Sequence, residues 1–253
     1  MVSIDVNSDM GESYGVWTLG DDEAMLGFVT SANVACGFHA GDPSVLRVTC
    51  ARAVQNDVAI GAQVSFPDVP GFGRRHLDMA PDELRNAVLY QLGALDAFAQ
   101  VAGSEITYVK PHGALYHTTA THPLAAQALV AAAAEYDPSL AILGLPGSEL
   151  LAAADAAGLE SVPEAFADRA YRPDGGLVSR REPGSVLTDP DEVAERAVRI
   201  ATDNEVIAID GTVVAIRARS ICVHGDTPGA VDLARAVRSA LDAAGVGVYR
   251  FTS

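Results

Sequence analysis

The stretch SANVACGFHAGDPSVLRVTCARAVQN, residues 31–56, sets the pattern of the chain. Ser31–Cys36 is a short apolar run and reads as a strand. A glycine-rich turn follows and carries His39. Asp42-Pro43 then supplies a helix N-cap and a first-turn proline, which predicts a helix through about Asn56. Strand, polar turn and helix together make one β/α unit.

The same unit recurs in both directions. Val2–Val6, Val58–Val64, Ile106–Lys110, Leu140–Leu145, Glu160–Phe166 and Ser220–His224 read as strands. Leu84, Val88, Leu92, Leu95 and Phe98 recur at helical spacing, with Gly103 as the stop. Pro123 opens an Ala-rich helix toward Tyr136. Asp189-Pro190 opens another, with Val193, Ala197 and Ile200. Thr227-Pro228 opens the last, with Val231, Ala234, Val237 and Leu241, and Gly245 closes it. Such alternation predicts an α/β fold with a parallel sheet. About seven units without a linker-like break predict a closed barrel over an open sheet, in one domain spanning 1–253. Val206–Ile209 and Val213–Ile216 flank Asp210-Gly211, which predicts a small late β-hairpin insertion.

Composition removes several functions. The 253 residues carry 17 Lys+Arg against 33 Asp+Glu, a net charge of −16, which argues against a nucleic-acid partner or a polybasic membrane surface. No apolar run approaches the roughly 18 residues of a membrane span. Met1-Val2-Ser3-Ile4-Asp5 lacks the basic start of a signal peptide. Cys36, Cys50 and Cys222 are odd in number and far apart, so a reducing cytoplasm is expected. Of the basic residues 16 are Arg, and Lys110 is the single lysine. An ammonium there is a compact point charge, unlike a guanidinium.

Polar residues gather where the expected strands end. Asn7, Asp9 and Glu12 follow the first, His39 the second, and Gln63, Ser65 and Asp68 lie about the third. Lys110-Pro-His112 ends the fourth; Glu164, Asp168 and Arg169 accompany the sixth; His224 ends the seventh. In parallel α/β folds these ends form the face that carries sites. A single histidine is usually a structural hydrogen-bonding residue; three so placed, each near glycine, predict a site. Asp9 and Glu12, with His39 and His112, suit water activation or proton transfer, and Lys110 suits a developing oxyanion. Gly71-Phe-Gly-Arg-Arg75 offers Arg74 and Arg75 to an anion, although paired arginines are commonly solvated. Asp9, His39 and His112 are candidate ligands for a divalent metal, which the sequence does not require. No serine-hydrolase elbow and neither standard nucleotide fingerprint is present.

Six motifs, in order, resemble the LamB/YcsF family. They are Asp5-Val-Asn-Ser-Asp-Met-Gly-Glu12, Ser31 through Pro43, Gly71 through Arg75, Lys110-Pro-His-Gly-Ala-Leu-Tyr116, Phe166-Ala-Asp-Arg-Ala-Tyr171 and Cys222-Val-His-Gly-Asp-Thr-Pro228. The resemblance implies a seven-stranded (β/α) barrel of the glycoside hydrolase/deacetylase type. It implies the A subunit of an ATP-dependent 5-oxoprolinase, working with subunits B and C to convert 5-oxo-L-proline, ATP and water to L-glutamate, ADP and phosphate. ATP enters as co-substrate from this resemblance alone. Where the family usually has Gly-Ala-His-Pro, this chain has Gly61-Ala-Gln63-Val64, and an amide is neither a proton-transfer base nor a good metal ligand.

A lactam is an unactivated amide, and phosphorylating its oxygen would ease attack by water. Asp9, Glu12, His39, Lys110 and His112 are then the expected catalytic residues. Asn7, Gln63, Arg74, Arg75, Asp168, Arg169 and His224 are the expected substrate contacts. Two alternatives are a metal-dependent deacetylase acting on amides or sugars, and a non-catalytic subunit that binds substrate or partners.

Overall fold

A computed structural model describes residues 2–252; Met1, the start of the stretch read above for a leader, and Ser253 lie outside the described residues. Six strands lead the barrel: β1 (Ser3–Met10), β2 (Ser31–Ala35), β3 (Ala59–Val64), β4 (Ile106–Pro111), β5 (Ala141–Gly144) and β6 (Ser161–Phe166). A two-stranded hairpin follows, β7 (Glu205–Ile207) and β8 (Val213–Ala215); then come β9 (Ser220–Cys222) and β10 (Gly247–Val248). β1 to β6 pair in order and in parallel, β9 pairs with β6, and β9 closes on β1 through Asp5↔Ser220, Val6↔Ile221 and Asn7↔Cys222. The expected seven-stranded closed barrel is therefore formed. β10 adds a short pairing to the start of β1, outside the closed ring.

Among the described residues eight helices accompany the strands: α1 (Asp22–Met25), α2 (Pro43–Gln55), α3 (Pro81–Ala102), α4 (Gly113–Thr121), α5 (Pro123–Tyr136), α6 (Glu149–Ala157), α7 (Pro190–Asp203) and α8 (Ala230–Ala243). Asp42 caps α2 as read, accepting from Ser44 N at 2.7 Å and Val45 N at 3.1 Å. α3 buries Leu84, Val88, Leu92 and Leu95 and ends at Gly103 in the left-handed region. None of the described helices is long and apolar enough to cross a membrane.

Some boundaries differ from expectation, each for a physical reason. β1 runs on past Val6 to Met10, so Asn7 and Asp9 lie within the strand, not after it. Their side chains alternate inward with Asp5, into a polar lumen, where an apolar alternation could not reveal the strand. The last helix begins at Ala230, because Gly229 takes a left-handed conformation after Pro228. β9 stops at Cys222; Val223 N still donates to Asn7 O at 3.0 Å, and His224 N turns instead to Asp168 Oδ2 at 3.0 Å.

The register places equivalent residues of all seven strands inside. Asp5, Asn7, Asp9, Ser31, Asn33, Lys110, Glu164, Ser220 and Cys222 share the inward parity. On the opposite side the inward positions are apolar: Ala141, Leu143 and Val162, with Tyr108 and the C-terminal Phe251 packed against them. Gly61 faces the Tyr108 ring so closely that any Cβ at 61 would overlap it. The hydrophobic core proper lies outside, between barrel and helices.

Candidate active site

The lumen is a ladder of hydrogen bonds that ends at Lys110. At the bottom Asp5 accepts from Thr30 Oγ1 and Ser31 Oγ, both at 2.6 Å, and from Ser220. Asn7 Nδ2 donates to Ser220 Oγ at 2.7 Å. Asn33 Nδ2 donates to Asn7 Oδ1 at 2.7 Å and Asp9 Oδ1 at 2.9 Å, while its own Oδ1 takes the Tyr108 hydroxyl at 2.7 Å. Lys110 Nζ lies 2.9 Å from Glu164 Oε2, 3.0 Å from Asn7 Oδ1, 3.3 Å from Cys222 Sγ and 3.5 Å from Asp9 Oδ1. Burial alone would strip the proton from this amine, but Asp9, Cys222 and Glu164 together hold it well above the ordinary lysine range. Lys110 is thus a fixed cation. Burial pushes Asp9 upward, yet Lys110 and then His112 outweigh it and keep this carboxylate ionised.

Glu12 has the opposite fate. Burial and then the Asp9 charge raise it well above the usual carboxylate range. Burial and His112 lower His39 well below the ordinary imidazole range. Glu12 Oε1 and His39 Nε2 are 3.5 Å apart, so both directions describe an uncharged pair. His39 stacks on His112 with ring centroids 3.9 Å apart. His112 Nε2 sits 3.0 Å from Phe72 O, an atom that only accepts, so Nε2 carries the proton. Nδ1 then accepts from Gln63 Nε2 at 3.0 Å and lies 3.5 Å from Glu12 Oε1.

A third imidazole, His224, is built differently. Asp168 is fully buried; it accepts from His224 N at 3.0 Å and holds His224 Nδ1 at 2.9 Å. Phe166 stacks on the His224 ring. Nδ1 is thereby committed, which leaves Nε2 as the proton-accepting nitrogen.

A cavity of about 910 Å³ opens over these groups at the carboxyl ends of the strands. Asp9, Lys110, His112, His224, Arg74, Arg75 and Arg169 line it. Other expected residues stand behind its wall. Glu12 and His39 back onto His112. Gln63, expected to touch substrate, instead binds His112. Asn7 supports Lys110, and Asp168 orients His224. These residues lie one layer deeper than their neighbours. Arg75 binds Asp68 and Arg74 binds Asp226, so both guanidiniums carry partners already. Sequence reading missed Asn33 and Tyr108, whose signal was their inward parity with Asn7 and Lys110.

Of the metal candidates Asp9, His39 and His112, two converge with Glu12. Among the described residues the convergent donors are Glu12, His39 and His112, within 4.8 Å of one another; Asp9 is instead turned to Lys110. Glu12 Oε1 and both His39 nitrogens are buried without a hydrogen-bond partner, which fits a cation. His112 Nδ1 would join only if Gln63 yielded it.

The class this architecture defines is that of the seven-stranded (β/α) barrels, whose sites lie at the carboxyl ends of the strands. Residues 4–253 match the sequence model of the LamB/YcsF family, and the chain belongs to that family. It is 57% identical over 252 residues, 100% of both chains, to a Mycolicibacterium gilvum protein named as the A subunit of 5-oxoprolinase. It resembles the crystal structure of a lactam utilization protein from Thermus thermophilus with TM-score 0.94 and 45% identity, covering 98% of this chain and 100% of that one. A putative cellobiose-phosphate cleavage protein from Enterococcus faecalis shares the fold alone, with TM-score 0.56 and 11% identity over 98% and 97% of the two chains.

Proposed function

We propose that this chain is the A subunit of an ATP-dependent 5-oxoprolinase and that its barrel opens the lactam ring of 5-oxo-L-proline to give L-glutamate. The names of its relatives support this reading, and the word subunit supports partners, which we take to be subunits B and C. The observation that carries it is the placement of a fixed cation and an oriented imidazole on one cavity wall. Water adds to the lactam carbon and passes a proton to His224 Nε2, which Asp168 keeps in the required tautomer. The lactam oxygen, carrying a phosphoryl group drawn from ATP in the complex, faces Lys110, which steadies the negative charge there. The C–N bond breaks as the ring nitrogen takes a proton, with His112 and the uncharged Glu12–His39 pair behind it as the proton supply. C–N cleavage leaves an acyl phosphate, which a second water hydrolyses to glutamate and phosphate, so the phosphoryl group drawn from ATP couples its hydrolysis to this difficult amide cleavage. Three buried free cysteines suit a cytoplasmic setting.

The orphaned donors of Glu12 and His39 favour one second reading, a metal-assisted hydrolase. A cation held there would supply Lewis acidity to a bound water. Loss of activity to a chelator, with one equivalent of metal in the purified chain, would select that reading.

The test is glutamate release by the assembled complex carrying His224→Ala or Lys110→Met. Each is expected to lower turnover about 100-fold or more, with the complex still assembled. Turnover equal to that of the unaltered complex in either variant would sink the corresponding role.

A further inference from the structure

The cavity has a second wall that lactam chemistry does not use. Seven of the 17 Lys+Arg residues of this acidic chain line one cavity, and among the described residues Asp9 is the only acid that lines it. Lys110, Arg74 and Arg75 have been accounted for. Arg169, Arg172, Arg180 and Arg181 have not, and all four come from the loop between β6 and α7.

This loop is built, not draped. Val178 N donates to Ala170 O at 2.9 Å and Arg172 N to Gly176 O at 2.7 Å. Arg169 is only 4% exposed, and main-chain carbonyls hold its guanidinium: Nε to Ser185 O at 3.2 Å and Nη2 to Val178 O at 2.6 Å. Carbonyls fix a guanidinium without neutralising it. Arg172 has Asp174 at 3.1 Å, and Arg180 has Asp226 at 3.9 Å, an acid already bound to Arg74. His117 of α4 lines the same cavity. Burial lowers Arg169 to about 10, with Arg180 the next cause. Burial also lowers His117, followed by Arg169, Arg172 and Arg180. The cluster therefore repels itself in the absence of an anion.

We propose that Arg169, Arg172, Arg180 and His117 form a subsite for a phosphoryl group on this chain. 5-Oxoproline brings one carboxylate, which a single cation satisfies. Several converging donors suit a dianion with three acceptor oxygens. A cavity of about 910 Å³ lies near the top of the range for small-molecule sites and has room for a lactam and a phosphoryl group together. Resting on the reading of the chain as part of an oxoprolinase, the consequence is that the phosphorylated form of the lactam, or the phosphate it releases, is bound here. The step that makes the phosphoryl donor can then belong to another subunit.

The experiment titrates inorganic phosphate into the full chain by calorimetry, with acetate as the monoanion control and ADP as a separate arm. Saturable phosphate binding is expected, stronger than acetate, and weakened about tenfold in Arg172→Gln and in Arg180→Gln, both outside the buried core. Arg85→Gln, on the outer face of α3 where Arg85 pairs with Glu135, should bind as the unaltered chain does. No saturable binding, or equal binding in the two loop variants, overturns the subsite. ADP binding far more tightly than phosphate with the same arginine dependence overturns its assignment to the lactam and gives it to the nucleotide. Glutamate release by the complex is measured alongside. Turnover without phosphate binding sinks the subsite alone; phosphate binding without turnover sinks the oxoprolinase reading alone.

Discussion

Asp5 shows what the polar lumen costs. Burial pushes its carboxyl up to about 6 from 3.8, although hydroxyl bonds from Ser220, Ser31 and Thr30 oppose the shift. Between about pH 4 and 6 the folded chain therefore holds a proton that the unfolded chain has lost. Stability from this group falls as pH rises through that window and stays low above it. The displacement corresponds to roughly 3 kcal/mol. Asp5→Asn removes it, so urea unfolding should show the variant gaining roughly 2 kcal/mol on the unaltered chain between pH 4 and pH 7. An equal difference at both pH values would contradict the assignment. Lys110 was legible as the single lysine, and His39, His112 and His224 by their glycine neighbours. Their layering was not legible: whether Gln63 faces a ligand or another side chain depends on the Lys110 register, which only strand pairing fixes.

At the scale of elements, caps and prolines made α2, α5 and α7 readable to within about a residue, since Asp42, Pro123 and Asp189-Pro190 act locally. α4 carried no such mark, and the Ser148 N-cap and Gly158 stop of α6 went unread. α4 follows His112 directly with Gly113 in the left-handed region, packed against Gly73 O, and buries Leu115, Tyr116 and Thr119. The β3–β4 pairing makes its own prediction. A methyl at Gly61 would meet the Tyr108 ring and drive its hydroxyl from Asn33. Gly61→Ala should lower stability by about 1–3 kcal/mol, seen as a lower urea midpoint with the slope unchanged. Gly93→Ala, in open space on α3, should be neutral or stabilising. Equal midpoints for Gly61→Ala and the unaltered chain would contradict the packing of Tyr108 in the lumen.

Across the whole molecule, the strand–helix alternation gave the closed barrel because each β/α unit is a local pattern repeated. The hairpin at Asp210-Gly211 stands outside that repeat as read. The basic cavity was hidden by the same arithmetic that excluded nucleic acid. A net charge of −16 sums over a surface, whereas the arginines of one loop and the lysine of one strand converge only in three dimensions. The family and the barrel are fixed; what the barrel does within a complex is the central claim. The most direct measurement is glutamate release from 5-oxoproline and ATP, by this chain alone and then mixed with the proposed B and C subunits. The account predicts turnover in the mixture only. No turnover in the mixture, with the partners folded and bound, would contradict it.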